Sequence, residues 1–208
     1  TPFSIYPTYA PGQIAYVVQD ADARILVTEP GFLDNVLAAR EELPHLEHII
    51  VLDTGGDAPE GCLALEDVEG ANPSFDVDAS VAALQPDDVL TLIYTSGTTG
   101  PPKGVQLAHR NLLTAVSGIE EIVQFPAGSR VVSWLPAAHI AERAAHHYLP
   151  IVFGLQVTTC PVARDVMSYL PAVRPQWFFA VPRIWEKLKA GLETIVAGMP
   201  EEQRAQAE

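Results

Sequence analysis

The sequence predicts an α/β fold in which parallel-sheet layers carry packed helices. Three features predict it. Short runs rich in Ile, Val and Leu alternate with segments whose apolar residues recur at helical spacing. Pro and Gly punctuate the joints between them. A stretch rich in Gly, Asp and Pro, residues 53–84, separates two such alternating regions and reads as a connector.

In the first region, residues 5–8 read as extended and end at Pro7. Residues 11–20 follow as a helix, with Ile14, Val17 and Val18 on one face. Residues 24–28 are a short buried-type strand. Residues 30–43 are a helix with Phe32, Leu33, Val36 and Leu37 on one face and Pro44 as its stop. Residues 47–52 are the next strand. This βαβαβ order implies a parallel sheet with helices packed on it. Within the connector only residues 65–68 read as helical.

The second region resumes the rhythm. Residues 88–95 are a strand and 96–102 a loop; residues 103–107 continue as a strand or return across a hairpin. Residues 109–123 form a helix with Leu112, Leu113, Val116, Ile119 and Val123 in period. Residues 130–134 are a strand, and 137–148 a helix checked by Pro150. Strands at 156–160 and 176–181 flank a helix at 165–173. A last helix, 184–197, is opened by Pro182. Residues 1–75 then form one α/β subdomain segment and 76–208 a second, both parts of one larger domain.

Composition sets the class. The chain is 48% hydrophobic and 18% charged, which is enough apolar material for a packed core. Its formal net charge of -14 excludes nucleic acid as a partner, because so acidic a surface repels phosphate backbones. A cation that meets an anionic ligand here therefore acts locally and belongs to no broad patch. Cys62 and Cys160 show no Cys-x-x-Cys spacing, so neither a disulfide framework nor a zinc site is expected, and free thiols fit a reducing cytoplasm. No apolar run reaches the ~18 residues a membrane helix needs. The nearest, residues 149–157, is broken by Pro150 and Gly154. The chain starts at Thr1 and stops in a polar tail after Pro200, which reads as a piece of a longer protein.

The most informative run is Tyr94-Thr-Ser-Gly-Thr-Thr-Gly-Pro-Pro-Lys-Gly104. An apolar strand feeds directly into Ser96, Gly97, Thr98, Thr99 and Gly100. The two glycines permit backbone angles and close approach that a side chain forbids. The hydroxyls of Thr95, Ser96, Thr98 and Thr99 surround them, and Lys103 adds one positive charge. Backbone N–H groups, hydroxyls and an ammonium make a nest for an anion, and a triphosphate is the natural guest. A Walker loop is excluded, because counting from Gly97 its second glycine falls on Pro102. A nucleophile elbow is excluded too, because Tyr94 stands where it needs glycine. A plain Gly/Thr-rich turn explains the glycines but not the ordered run with Lys-Gly after it.

Tyr94–Gly104 resembles the signature of the acyl-adenylate-forming superfamily, whose pattern is Tyr/Phe-Thr-Ser-Gly-Thr-Thr-Gly-x-Pro-Lys-Gly. Every fixed position agrees. His109-Arg-Asn-Leu resembles the family's His-x-Asn helix start. Residues 134–143, with His139, Glu142 and Arg143, resemble the Leu-Pro-Leu-Ala-His-Ile-x-Glu-Arg segment of long-chain fatty acyl-CoA synthetases. Val181-Pro-Arg-Ile-Trp-Glu-Lys resembles another of their segments, and residues 5–8 and 13–17 the stretch upstream of the loop. The resemblance spans nearly the whole chain in order, apart from the connector.

The resemblance implies an activity. A fatty acid carboxylate attacks the α-phosphate of ATP, pyrophosphate leaves, and the acyl-adenylate then reacts with the thiol of coenzyme A. The carboxylate is already ionised at neutral pH and needs no general base. Thr95, Ser96, Gly97, Thr98, Thr99, Gly100 and Lys103 would hold the β- and γ-phosphates, and Thr98 would help ligate Mg²⁺. His139 would orient the carboxylate or line the acyl tunnel; the alternative is a core histidine on an apolar helix. Trp134 would shape the acyl channel or simply fill the core. Glu142, Arg143 and Arg183 read as ion-pairing or hydrogen-bonding groups without a catalytic role. His146 and His147 are adjacent, so they point about 100° apart on a helix and offer no shared metal face.

The family's later Gly-Tyr-Gly-x-Thr-Glu and Thr-Gly-Asp segments and its C-terminal lysine do not occur in this chain, so the adenine and ribose contacts are expected outside it. The sequence thus points to the N-terminal part of a long-chain fatty acid–CoA ligase, inactive alone. The partners implied are fatty acid, ATP and coenzyme A, and a peripheral bilayer contact is compatible with an acid that partitions into lipid. The alternatives are a fatty acyl-AMP or aryl-CoA ligase of the same superfamily, or a non-catalytic nucleotide- or acyl-binding module.

Overall fold

The computed structural model describes residues 1–95 and 100–199. They fall into two units: Thr1–Ile122 with Pro136–Ile140, and Val123–Leu135 with Ala141 onward.

The first unit opens on helix α1 (Pro11–Asp20), started by Pro11 and by the Gln13 side chain, which accepts from the Ala10 N–H at 3.0 Å. Strand β1 (Ile25–Thr28), helix α2 (Leu33–Arg40) and strand β2 (His48–Val51) follow. β1 and β2 pair in parallel, Ile25 opposite His48 and Thr28 opposite Val51. Ile14, Val17 and Val18 of α1 meet Leu33, Val36 and Ala39 of α2 over Ile49 and Val51, so the periodic faces bury each other as expected.

The α/β class and the parallel sheet are as the sequence predicts, and several details differ. Residues 5–8 form no strand; a turn closes over Pro7, with the Tyr9 N–H donating to the Tyr6 carbonyl at 3.0 Å. Residues 30–43 begin as a 3₁₀ turn at Pro30–Phe32, and α2 stops at Arg40, four residues short of Pro44. The connector supplies more than one helical piece. Strand β3 (Leu63–Ala64) extends the sheet in parallel beside β2, helix α3 is Leu65–Val68, and helix α4 (Val77–Ala82) is capped by Asp76, whose carboxylate accepts from the Ala79 N–H at 2.8 Å.

Strand β4 (Val89–Thr95) then pairs antiparallel with strand β5 (Lys103–Ala108). Of the two readings of residues 103–107, the hairpin is the one adopted. Helix α5 (His109–Glu120) leaves β5 without a break. Asn111 accepts from the Ala108 N–H at 2.9 Å, which is the physical use of the asparagine in the His-Arg-Asn start.

The second unit is a crossover between parallel strands β6 (Arg130–Ser133) and β7 (Gln156–Thr159). The crossover is helical but begins later than residue 137. Helix α6 (Ile140–Glu142) runs into a wide π-helical segment, Arg143–Tyr148, and then into α7 (Leu149–Phe153). Pro150 does not end it. Pro150 has no N–H for the His146 carbonyl and its ring crowds that position, and the wider turn ahead of it relieves the conflict. Gly154, at φ +64°, ends the helix in the left-handed region.

Helix α8 (Val166–Val173) covers β6, and Val166 joins Val132, Trp134 and Cys160 in a small core. Residues 176–181 form no strand. One backbone bond ties Gln176 to the Arg130 carbonyl at 3.0 Å, and the aromatic run beyond it packs by side chains, Trp177 edge-on to Phe125 and Phe178 beside Trp134. Helix α9 (Pro182–Ala197) is the last described element.

Candidate functional site

The loop in question runs between the two strands of the first unit's hairpin. Thr95 closes β4 and Lys103 opens β5, and they stand directly opposite each other in the antiparallel register. Both are exposed, which puts a hydroxyl and an ammonium on one face at the hairpin end. Gly100 has φ +102°, a conformation L side chains rarely adopt. Ser96, Gly97, Thr98 and Thr99 lie outside the described residues. Of the sequence-predicted phosphate ligands, the register thus brings Thr95 and Lys103 together.

The opposite face of the hairpin is buried. Tyr94, only 6% exposed, pairs with Gly104, and a Cβ on Gly104 would lie 3.0 Å from the Tyr94 Cζ. The glycine is there because the Tyr94 ring crosses the strand at that point. The ring also stands 5.7 Å from Phe3. Burial, and then the hydrogen bond to Asp20, push the Tyr94 phenol well above its ordinary value, so it stays a donor.

His139 sits in a bend just ahead of α6, exposed, with its N–H donating to the Pro136 carbonyl at 2.9 Å. The core-histidine alternative is therefore overturned, as is the helical placement of this residue. Its segment, Pro136–Ile140, belongs to the same unit as the hairpin. Trp134 is a core residue: it is buried and its Nε1–H donates to the Phe179 carbonyl at 3.0 Å.

Glu142 is the hydrogen-bonding group the sequence predicts, but its burial and its partners are not legible there. Glu142, 1% exposed, accepts from Ser133 Oγ at 2.5 Å, from the Leu135 N–H at 3.1 Å and from His146 Nδ1 at 2.7 Å. These bonds tie the end of β6 to the start of the crossover and close the chain on either side of residues 136–141. Burial pushes the Glu142 carboxyl up, but the bonds from His146 and Ser133 outweigh it and hold it below its ordinary range. The Glu-x-x-x-His spacing, one helical turn apart, was the available signal. Arg143, also buried, stacks over the Tyr148 ring at 5.9 Å.

His147 titrates differently. Burial, with the Arg143 cation adding to it and Glu142 opposing, holds its imidazole below the ordinary value. The folded chain then refuses a proton that the unfolded chain accepts below about pH 6.5. A depressed folded value means stability is fully present above that pH and is lost as pH falls toward the folded value. Urea unfolding midpoints are expected to decline between pH 7 and 5, and His147→Gln to flatten the decline. An equally steep decline in the variant would remove the assignment.

No described helix is long and apolar enough to cross a membrane, and no described cluster of three or more His, Cys, Asp or Glu could hold a metal ion.

Comparison with known proteins supplies the family. The model of the AMP-binding enzyme family matches residues 1–207. A Mycobacterium tuberculosis protein named as the fatty-acid–CoA ligase fadD11 is 49% identical over 149 residues, 71% of this chain and 26% of its own length. The long-chain-fatty-acid–CoA ligase ACSBG2 of Gallus gallus is 32% identical and covers 93% of this chain, which spans 27% of that protein. Among solved structures, the anthranilate CoA ligase AuaEII in complex with anthranoyl-AMP superposes with a TM-score of 0.72 at 26% identity, covering 85% of this chain and 34% of its own. The N-terminal domain of FACL13 from Mycobacterium tuberculosis, at 19% identity and a TM-score of 0.67, shares the fold over 96% of this chain and 45% of its own. The chain spans about a quarter of the length of the curated relatives it matches. With a matching model over nearly its full length and a hairpin that presents Thr95 and Lys103 side by side, the chain belongs to the AMP-binding enzyme family.

Proposed function

We propose that this segment is the phosphate-binding part of a long-chain fatty acid–CoA ligase that forms acyl-adenylate from fatty acid and ATP and then transfers the acyl group to coenzyme A. One observation carries the reading: the family's phosphate signature sits on a hairpin whose end sets the Thr95 hydroxyl beside the Lys103 ammonium. Relatives bearing the names of fatty-acid–CoA ligases support the substrate class.

Thr95, Ser96, Gly97, Thr98, Thr99, Gly100 and Lys103 hold the β- and γ-phosphates. Thr98 would supply one oxygen to a Mg²⁺ ion bound with the nucleotide, and the phosphates would supply others, as a hard cation requires. The carboxylate carries its own negative charge, so the work of these residues is to position ATP and offset charge as pyrophosphate departs. His139, exposed on its own loop, orients the carboxylate. A peripheral contact with lipid would bring the protein to its substrate.

The test uses the intact polypeptide that contains this segment. Pyrophosphate release should require a long-chain acid, and an acyl-CoA should form only when coenzyme A is present. Accumulation of acyl-adenylate regardless of coenzyme A would indicate a fatty acyl-AMP ligase, and preference for aromatic acids an aryl-CoA ligase. The 208-residue chain alone should release no pyrophosphate. Tight ATP binding without turnover by the intact protein would favour a binding module.

A further inference from the structure

The hairpin is gripped from its buried side by a helix that the sequence places some eighty residues earlier. Two side chains of α1, Tyr16 and Asp20, lie one helical turn apart and so share a face. Tyr16 donates its hydroxyl to the Pro102 carbonyl at 2.9 Å. Asp20 accepts the Tyr94 hydroxyl at 2.8 Å. Tyr94 is the penultimate residue of β4, and Pro102 immediately precedes β5. One helix therefore holds both arms of the hairpin, one arm by a carbonyl and the other by a side chain.

We propose that Tyr16 and Asp20 are positioning residues that hold Thr95 and Lys103 in register for the phosphates. Strand alternation connects the two faces. Tyr94 points inward, so Thr95 points outward, and Lys103 opposite it does the same. Lys103 lies between Pro102, held by Tyr16, and Gly104, covered by the Tyr94 ring. Its backbone cannot shift without breaking one of these contacts. α1 is itself immobilised by Ile14, Val17 and Val18 in the core against α2, so it is a fixed support. Pro102 gives no N–H of its own to bond this arm, so its carbonyl is the remaining handle. Asp20 is solvent-exposed, and an exposed carboxylate accepting a buried phenol aligns the ring rather than filling a core.

The proposal rests on reading the hairpin as phosphate-binding, and two measurements separate the two ideas. In the intact ligase, Tyr16→Phe and Asp20→Asn should each raise KM for MgATP about fivefold, the worth of one ordinary hydrogen bond. The double variant should raise it roughly twentyfold by the same reckoning. KM for the fatty acid should stay within about twofold. A merely structural role would lower the active fraction and leave KM for ATP in place, and that outcome overturns the proposal. The second measurement needs no activity. With tyrosine labelled at Cζ in the 208-residue chain, the Tyr94 signal at neutral pH should shift in Asp20→Asn, and the Lys103 and Gly104 amides should shift in Tyr16→Phe. Unchanged spectra would overturn the brace whatever the enzyme does. Shifted spectra in a protein that never activates ATP would leave the brace standing and remove the ligase reading.

Discussion

Glu142→Ala is expected to destabilise the second unit by about 3–5 kcal/mol, the cost of leaving buried donors without their acceptor. The substitution removes the acceptor for three donors at once: the Ser133 hydroxyl, the Leu135 N–H and His146 Nδ1. His146 has no exposed side-chain surface, so water cannot replace the lost partner. Glu142→Gln keeps one carbonyl oxygen and should cost roughly half as much. All three tryptophans, Trp134, Trp177 and Trp185, fall in this unit, so their fluorescence in urea follows its unfolding apart from the other. A double variant with His146→Ala should cost less than the two single changes added together, because both remove the same bond. A loss below about 1 kcal/mol in Glu142→Ala would mean that the cluster is incidental. The depressed Glu142 value also sets a second pH window. Its contribution is present above the ordinary glutamate range near pH 4.5 and is lost as pH falls through the folded value, well below the His147 window.

What the sequence revealed and what it hid follow from the range of the interactions. The strands at Ile25–Thr28 and His48–Val51 are β-branched runs that declare themselves locally. The run Tyr94–Gly104 is legible because its glycines, hydroxyls and lysine follow the family's pattern position by position. Strand β3 has two residues, too few for any period to show. Residues 176–181 carry strand-like aromatics, yet their side chains pack on Phe125 and Trp134 and leave the backbone without a ladder. The helix expected from residue 137 loses its first three residues because Pro136 and the bend at His139 satisfy the backbone otherwise. The Glu142–His146 spacing is visible as one helical turn, but nothing local says that the pair is buried. Tyr16 and Asp20 are still more opaque, since their partners lie 86 and 74 residues away. Local structure could be read from the chain, and tertiary positioning could not.

On the proposed function, Lys103→Ala should lower kcat/KM for ATP-dependent activation in the intact protein by about 10²–10³-fold, the usual cost of deleting one preorganised charge-stabilising donor. The chain's net charge of -14 makes this cation harder to replace, because the general field of the protein repels both ATP and a carboxylate. Lys103 is exposed and β5 is paired through its backbone, so alanine leaves the register with Thr95 intact. Stability should therefore change by no more than about 0.5 kcal/mol, and the loss of activity can be read as lost phosphate binding. Lys103→Arg keeps the charge but replaces a compact ammonium with a planar fork, and it should recover only part of the activity. Exchange of pyrophosphate into ATP, driven by fatty acid without coenzyme A, isolates the adenylation step from thioester formation. If Lys103→Ala exchanges at more than about a fifth of the wild-type rate, the ammonium is not the phosphate anchor. The anchoring would then pass to the backbone N–H groups of the loop, the other half of the anion nest.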